Sequence, residues 1–234
     1  MVQVKENKVK LPTRPVRFAF SKTGRLQYIS HLDLARTMQR IILRSGIDIW
    51  YSEGFNPQPK MVFALPLPTG VESNCELMDI KINSFMPNEE IMNRINENFP
   101  KDMRVLEVYQ PEVKFKNIQY AKYSITLYSP KISDTTKDEI ANLFTGECPM
   151  EKKTKSGLKE INICDYIKEI FVESEQGASK IEAILSADSE KNLNPDLLVS
   201  AIKKNLGILN TVGTEEYYTI MRQEFLQDDL SVFR

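Results

Sequence analysis

The sequence predicts an α+β protein built as two tandem ferredoxin-like (βαββαβ) units, with antiparallel sheets and the helices on one face. Two stretches alternate with period two and read as opening strands. RPVRFAFS puts Val16, Phe18 and Phe20 on one face, and AKYSITLYS does the same with Tyr123, Ile125 and Leu127. An amphipathic helix follows each of them, and the order strand–helix–strand–strand–helix–strand then completes itself twice. A length of 234 residues gives each unit about 110, enough to bury a core of its own.

Residues 1–13 read as a loose leader, and the first unit spans 14–113. After RPVRFAFS comes the turn KTGR, with LQYI as a short returning strand. HLDLARTMQRIILRSG is a helix closed by Gly46. IDIWYS, MVFALPL and CELMDIKI are strands, PNEEIMNRINENF is a helix with proline in its first turn, and MRVLEVYQ ends the unit. Lys114–Gln119 is the expected boundary. In the second unit, 119–223, DTTKDEIANLFTG is a helix with Ser133 or Asp134 as cap, and CPMEKKT, DYIKEIFVES and SKIEAILSA are strands. NPDLLVSAIKKNLG is a helix capped by Asn194 and stopped by Gly207, and EEYYTIMR is the last strand. Residues 224–234 read as a tail.

Several chemistries find no support. No run approaches the roughly 18 apolar residues of a membrane helix. The N-terminus is charged from the start, so the expected location is the cytoplasm, with no membrane partner. Cys75, Cys148 and Cys164 are an odd number at irregular spacings, unlike a disulfide framework, a zinc knuckle or a cluster site. With His31 as the single histidine, no metal site is expected. Neither GxxxxGKS/T nor GxGxxG occurs, and no nucleophile elbow does.

The positive evidence is local. Residues 14–60 carry Arg14, Arg17, Lys22, Arg25, Arg36, Arg40, Arg44 and Lys60 against Asp33, Asp48 and Glu53, although the whole chain has a net charge of −1. That asymmetry points to an anionic partner at this region. Arg36, Arg40 and Arg44 recur every four residues, opposite the apolar face of the first helix. They form either a solvated face with Asp33 pairing Arg36 or a stripe whose free guanidinium forks suit phosphates. In YSEGFNPQPK, Gly54 allows positive φ while Pro57 and Pro59 stiffen the chain. The loop therefore presents Phe55, Asn56, Gln58 and Lys60, an aromatic with amides and a cation, as single-stranded nucleic acid contacts commonly do. Its structural alternative is an Ω-loop with Phe55 in the core. Loop and stripe together would make one surface, gripping bases and phosphates. His31, beside the cap Ser30, is the one candidate base for a metal-independent ribonuclease.

FSKTGRLQYISHLDLARTMQRIILRSGIDIWYSEGFNPQPKMVFALPLPTG resembles the radical-SAM-linked protein family, whose members are encoded next to a radical SAM protein or fused to its C-terminus. The K-x-G-x-L turn, the S-H-L-D-L helix start, Y-S-x-G-F-N-P and P-L-P-x-G carry the resemblance. Where Gln58 stands the family commonly has histidine, which weakens any imidazole chemistry at that position. The resemblance implies a radical SAM partner that brings the iron–sulfur cluster and S-adenosylmethionine, this chain binding neither. It also favours RNA or the ribosome as substrate. Three function classes follow: a non-catalytic RNA-binding accessory, a pure protein-interaction module for the partner, and an endoribonuclease using His31.

Overall fold

The structure is a computed structural model that describes residues 13–154, 157–188, 190–210 and 215–234. The predicted leader therefore lies, but for Thr13, outside the described residues. The chain is a mixed α+β protein. Its strands are β1 (Arg14–Lys22), β2 (Met61–Phe63), β3 (Val71–Ile82), β4 (Met103–Tyr109), β5 (Tyr120–Tyr128), β6 (Pro149–Thr154), β7 (Gly157–Asn162), β8 (Ile167–Glu175), β9 (Ala178–Ser186) and β10 (Tyr217–Leu226). Among the described residues there are four α-helices: α1 (His31–Arg44), α2 (Asn88–Asn96), α3 (Thr136–Leu143) and α4 (Asp196–Leu206).

The helix signals are local ones. The Ser30 hydroxyl accepts the Asp33 N–H at 3.2 Å and so starts α1. Leu34, Met38, Ile41 and Ile42 form its buried stripe. Asn194 Oδ1 accepts from the Asp196 N–H at the start of α4, and Gly207 ends that helix at φ 69°. Neither Ser133 nor Asp134 caps α3, which begins after Thr135 without a side-chain cap bond.

Two separate sheets were expected; instead the strands of both units join in one main sheet. Its order is β4-β1-β3-β10-β5-β9-β8, with β2 also on β3 and β6-β7 a detached hairpin. The pairings are antiparallel except at the junction, where β10 runs parallel to β3 at Ile220↔Val71, Met221↔Glu72 and Arg222↔Ser73. β3 is long enough for both neighbours on that edge, since β2 takes Met78–Ile80 and β10 takes Val71–Ser73. Lys22↔Ser73 and Val71↔Ile220 carry a single face across the junction. On it α1 and α2 cover Phe18, Phe20 and Met78, while α3 and α4 cover Ile125, Ile181 and Ile220.

Other expectations are corrected by local geometry. LQYI is not a strand: Gly24–Tyr28 is a 3₁₀ turn. Gly24 has φ 56°, and a Cβ there would stand 2.8 Å from the Asp102 carboxyl. IDIWYS contributes only isolated bridges, Ile49↔Ile82 and Tyr51↔Pro59. The tail is anchored, with β10 running on to Leu226, Val232 bridging back to it, and Phe233 only 4% exposed. The boundary segment is packed too. Arg17, fully buried, donates two bonds to Asp79 (2.7 and 2.9 Å) and one to the Val113 carbonyl (2.9 Å). Its guanidinium lies 4.2 Å from the Phe115 ring and 5.1 Å from that of Phe233.

At the junction Arg222, also fully buried, donates to Glu76 and to the Leu65 carbonyl, and lies 4.5 Å from the Phe225 ring. Burial opposes its charge most strongly, but Glu76, together with Tyr123 and Cys75, outweighs it and the net shift is upward. Lys22 sits on the same face, 1% exposed, donating to the Leu26 and Gln27 carbonyls; desolvation pulls its pKa down. Glu76→Gln leaves the Arg222 charge buried without its counter-charge, and we expect it to lower unfolding free energy by about 3–5 kcal/mol. Glu76→Leu combined with Arg222→Leu should recover most of that. Urea denaturation of both variants tests the assignment, and a loss below about 1 kcal/mol for Glu76→Gln would refute it.

Candidate nucleic-acid interface

Of the eight basic residues between 14 and 60, three are occupied in the fold. Arg17 and Lys22 are buried as described, and Arg14 donates to Asn88 Oδ1 (3.0 Å) and to the Met86 carbonyl (2.7 Å). The other five, Arg25, Arg36, Arg40, Arg44 and Lys60, are exposed. On α1, Arg36 reaches Asp33 at 3.4 Å, with both side chains more than half exposed, and such a pair contributes a few tenths of a kcal/mol. The Arg44 Nε donates to the Arg40 carbonyl. Arg40 and Arg44 have no carboxylate partner among the described residues.

The proline-rich loop is braced at its neck. The Ser52 N–H donates to the Gln58 carbonyl at 2.8 Å, the Gln58 N–H returns to the Ser52 hydroxyl at 3.0 Å, and Tyr51 bridges Pro59. Gln58 Nε2 donates to Asn56 Oδ1 at 3.2 Å, so the two amides hold each other. Gly54, at φ 140°, turns the tip in a region other residues avoid. Phe55 is fully exposed at 111% and is not part of a core. The Ω-loop alternative, with Phe55 tucked inside, does not describe this protein.

These residues do not all come together. The loop leaves the sheet near the Ile82 end of β3, where Ile49 bridges Ile82 and Met61 pairs Ile80. Five residues after α1 the chain has reached Ile49, so the last turn of α1, with Arg44, lies toward the loop. Arg25 follows the Lys22 end of β1, the far end of a strand whose Arg14 pairs Ile82. At 3.3 Å per residue that is roughly 25–30 Å away. Lys60 separates from the stripe in another way. Met61 and Phe63 face the α1 side with Phe18 and Met78, while Val62 pairs Asp79, which pairs Arg17 on the opposite face. Lys60 lines a cavity on that opposite face with Val62 and Asp79, so loop cation and arginine stripe are on two sides of the sheet.

His31 is half-buried at the first position of α1, its ring edge-on to Phe63 with centroids 5.1 Å apart. Among the described residues no acid is hydrogen-bonded to it, so as a base it would act without an orienting partner. Sequence reasoning missed Lys81 and Lys114. They line the same cavity as Lys60, from β3 and from the inter-unit segment, and no periodicity links those three positions.

Among the described residues no group of three His, Cys, Asp or Glu side chains could hold a metal ion. All three cysteines are free thiols. Burial pushes the Cys75 thiol up to about 12, with Arg222 opposing, and burial also raises Cys148 and Cys164. Fewer thiolates mean slower nucleophilic attack. Iodoacetamide near pH 8.5 should therefore label all three more slowly in the native protein than in urea, followed by mass spectrometry of the peptides. One cysteine reacting at the unfolded rate would mark an activated thiol and contradict this.

A solved structure described as an unknown protein from Galdieria sulphuraria aligns over 90% of this chain and 99% of its own, at 6% identity and a TM-score of 0.26, a likeness that carries no argument. No curated protein matches the sequence. The pattern of a family described as an uncharacterized protein conserved in bacteria (DUF2344) matches residues 15–195, from the second residue of β1 to the start of α4, and the chain belongs to that family.

Proposed function

We propose that this protein is a non-catalytic accessory of a radical SAM enzyme and that it binds single-stranded RNA through the braced loop. The observation that carries the reading is the fully exposed Phe55 ring on a neck closed by backbone bonds. An aromatic held in water costs apolar hydration unless something covers it, and a base can stack on it without sequence preference. Arg44, toward the same end of the molecule, supplies a phosphate contact; Arg25, at the far end, does not. The radical SAM partner, with its iron–sulfur cluster and S-adenosylmethionine, rests on the family resemblance of residues 17–70. We read 14–113 and 119–223 as two ferredoxin-like units, supported by the matching orders β4-β1-β3-β2 and β10-β5-β9-β8 within the shared sheet.

A second reading is a protein-interaction module for the same partner. Leu32 (66% exposed) and Leu43 (52% exposed) favour it. They lie within about 20° of each other on the outer side of α1, flanking Arg36 and Arg40.

A labelled single-stranded RNA of about 16 nucleotides, near the upper end of ordinary site sizes, separates the two. Phe55→Ala should weaken binding by about 1–3 kcal/mol at every salt concentration and leave the melting temperature unchanged, because the ring is outside the core. Arg44→Gln should reduce the slope of log K against log salt by roughly 0.7. An unaltered RNA affinity in folded Phe55→Ala would rule out the loop. Leu32→Asp abolishing co-purification with the radical SAM protein, with no RNA bound by the wild type, would establish the second reading in its place.

A further inference from the structure

On the face of the sheet turned away from the helices, Pro15, Lys60, Val62, Asp79, Ile80, Lys81, Lys114 and Phe115 line an open cavity of about 330 Å³. Four chain segments converge there: the start of β1, the end of the braced loop running into β2, the last residues of β3, and the segment joining the two units. Pro15, Val62, Ile80 and Phe115 give it an apolar lining, and Lys60, Lys81 and Lys114 add three cations. Asp79 is the one acidic residue lining it, and both Asp79 oxygens are already taken by the buried Arg17. The carboxylate is therefore neutralised from within the protein and leaves the three ammonium groups uncancelled. Among the described residues none of the three is in an ion pair, and Lys81 leans toward the Trp50 ring at 5.8 Å.

An apolar slot lined by three lysines suits a ligand with a flat or apolar body and an anionic group at one end. The volume admits one mononucleotide and little more. We propose that this cavity seats a nucleoside monophosphate group, its base against Phe115 and Val62 and its phosphate among Lys60, Lys81 and Lys114. The group has two sources, a free mononucleotide or one nucleotide of an RNA strand. The second rests on the RNA-binding reading above, and Lys60 is then the link by which a strand leaves the loop for the sheet face.

Calorimetric titration with adenosine 5′-monophosphate tests the cavity directly. Trp50, the sole tryptophan and a neighbour of Lys81, reports locally by its fluorescence, excited to the red of the nucleotide absorbance. Wild-type protein should bind the nucleotide more tightly than either adenosine or inorganic phosphate, with a change in Trp50 emission. Lys81→Gln with Lys114→Gln should weaken binding about tenfold or more, the loss expected for one charge-assisted hydrogen bond. Val62→Tyr should block the slot, and since Val62 is 45% exposed that variant keeps the fold. The proposal is overturned if the wild type gives neither heat nor an emission change, or if both variants bind as the wild type does. Single-stranded RNA separates the sources: Val62→Tyr lowering its affinity supports a strand nucleotide, and an unchanged RNA affinity beside lost mononucleotide binding supports the free ligand. RNA bound through Phe55, with no response to the mononucleotide and none to Val62→Tyr, overturns the cavity and leaves the loop reading in place.

Discussion

Three positions of parallel pairing between β10 and β3 hold the two halves of this sheet together, and the buried Arg222 fixes where they meet. Three backbone pairings contribute only a few kcal/mol net. The junction therefore depends on what lies over it, namely Val71 and Ile220 in the core and the guanidinium gripping Glu76 and the Leu65 carbonyl. Arg222 Nε and Nη1 are buried without partners among the described residues, a cost that the Phe225 ring offsets in part. Replacing such a pair with apolar side chains is often neutral for stability. Its effect here is on register. Slipping β10 by one residue would turn Arg222 to the other face and bring Met221 into the ion pair's place.

The sequence made legible whatever depends on near neighbours. Leu34, Met38, Ile41 and Ile42 announced α1, Ser30 its start, and Gly207 the end of α4. The alternation of Tyr123, Ile125 and Leu127 announced β5. What it hid depends on residues far apart in the chain. Arg17 stands on the alternate face of RPVRFAFS, which alternation alone assigns to solvent. It is buried because Asp79, Val113, Phe115 and Phe233 arrive there from three later segments. A continuous sheet was hidden for the same reason, since β3 accepts β2 and β10 on one edge only by being twelve residues long. LQYI misled because its apolar residues satisfy a 3₁₀ turn as well as a strand, and here the Leu26 N–H closes on the Thr23 carbonyl to make the turn.

The candidate site divides along the same line. Gly54, Pro57 and Pro59 marked a stiff loop before any fold was known, and the exposure of Phe55 agrees with its stiffness. The grouping of basic residues was less transparent. Counting charges between 14 and 60 treated as equals the guanidiniums that hold the fold and those that face water. The alternation Met61-Val62-Phe63 then sends Lys60 to one side of the sheet while α1 carries its arginines on the other. The molecule thus has two cationic surfaces, one made by a helix and one by convergence of a loop, a strand end and a connecting segment.

The position of β10 has a consequence for how the chain is made. It follows its partner segment of β3 by about 150 residues, yet it sits in the middle of the sheet, beside that third strand. Until it emerges, the backbone groups of Val71–Ser73 have no strand to pair with on that edge, although the rest of the first half is already complete. Such an edge is open to pairing with other chains, and it stays open for the time taken to translate about 150 further residues at ordinary elongation rates. The loop closed by β3 and β10 is long, so its entropic cost also delays the pairing once the strand is free. Conditions that slow translation of the second half should therefore favour aggregation of the first, and a chaperone that shields Val71–Ser73 during synthesis would have its effect there.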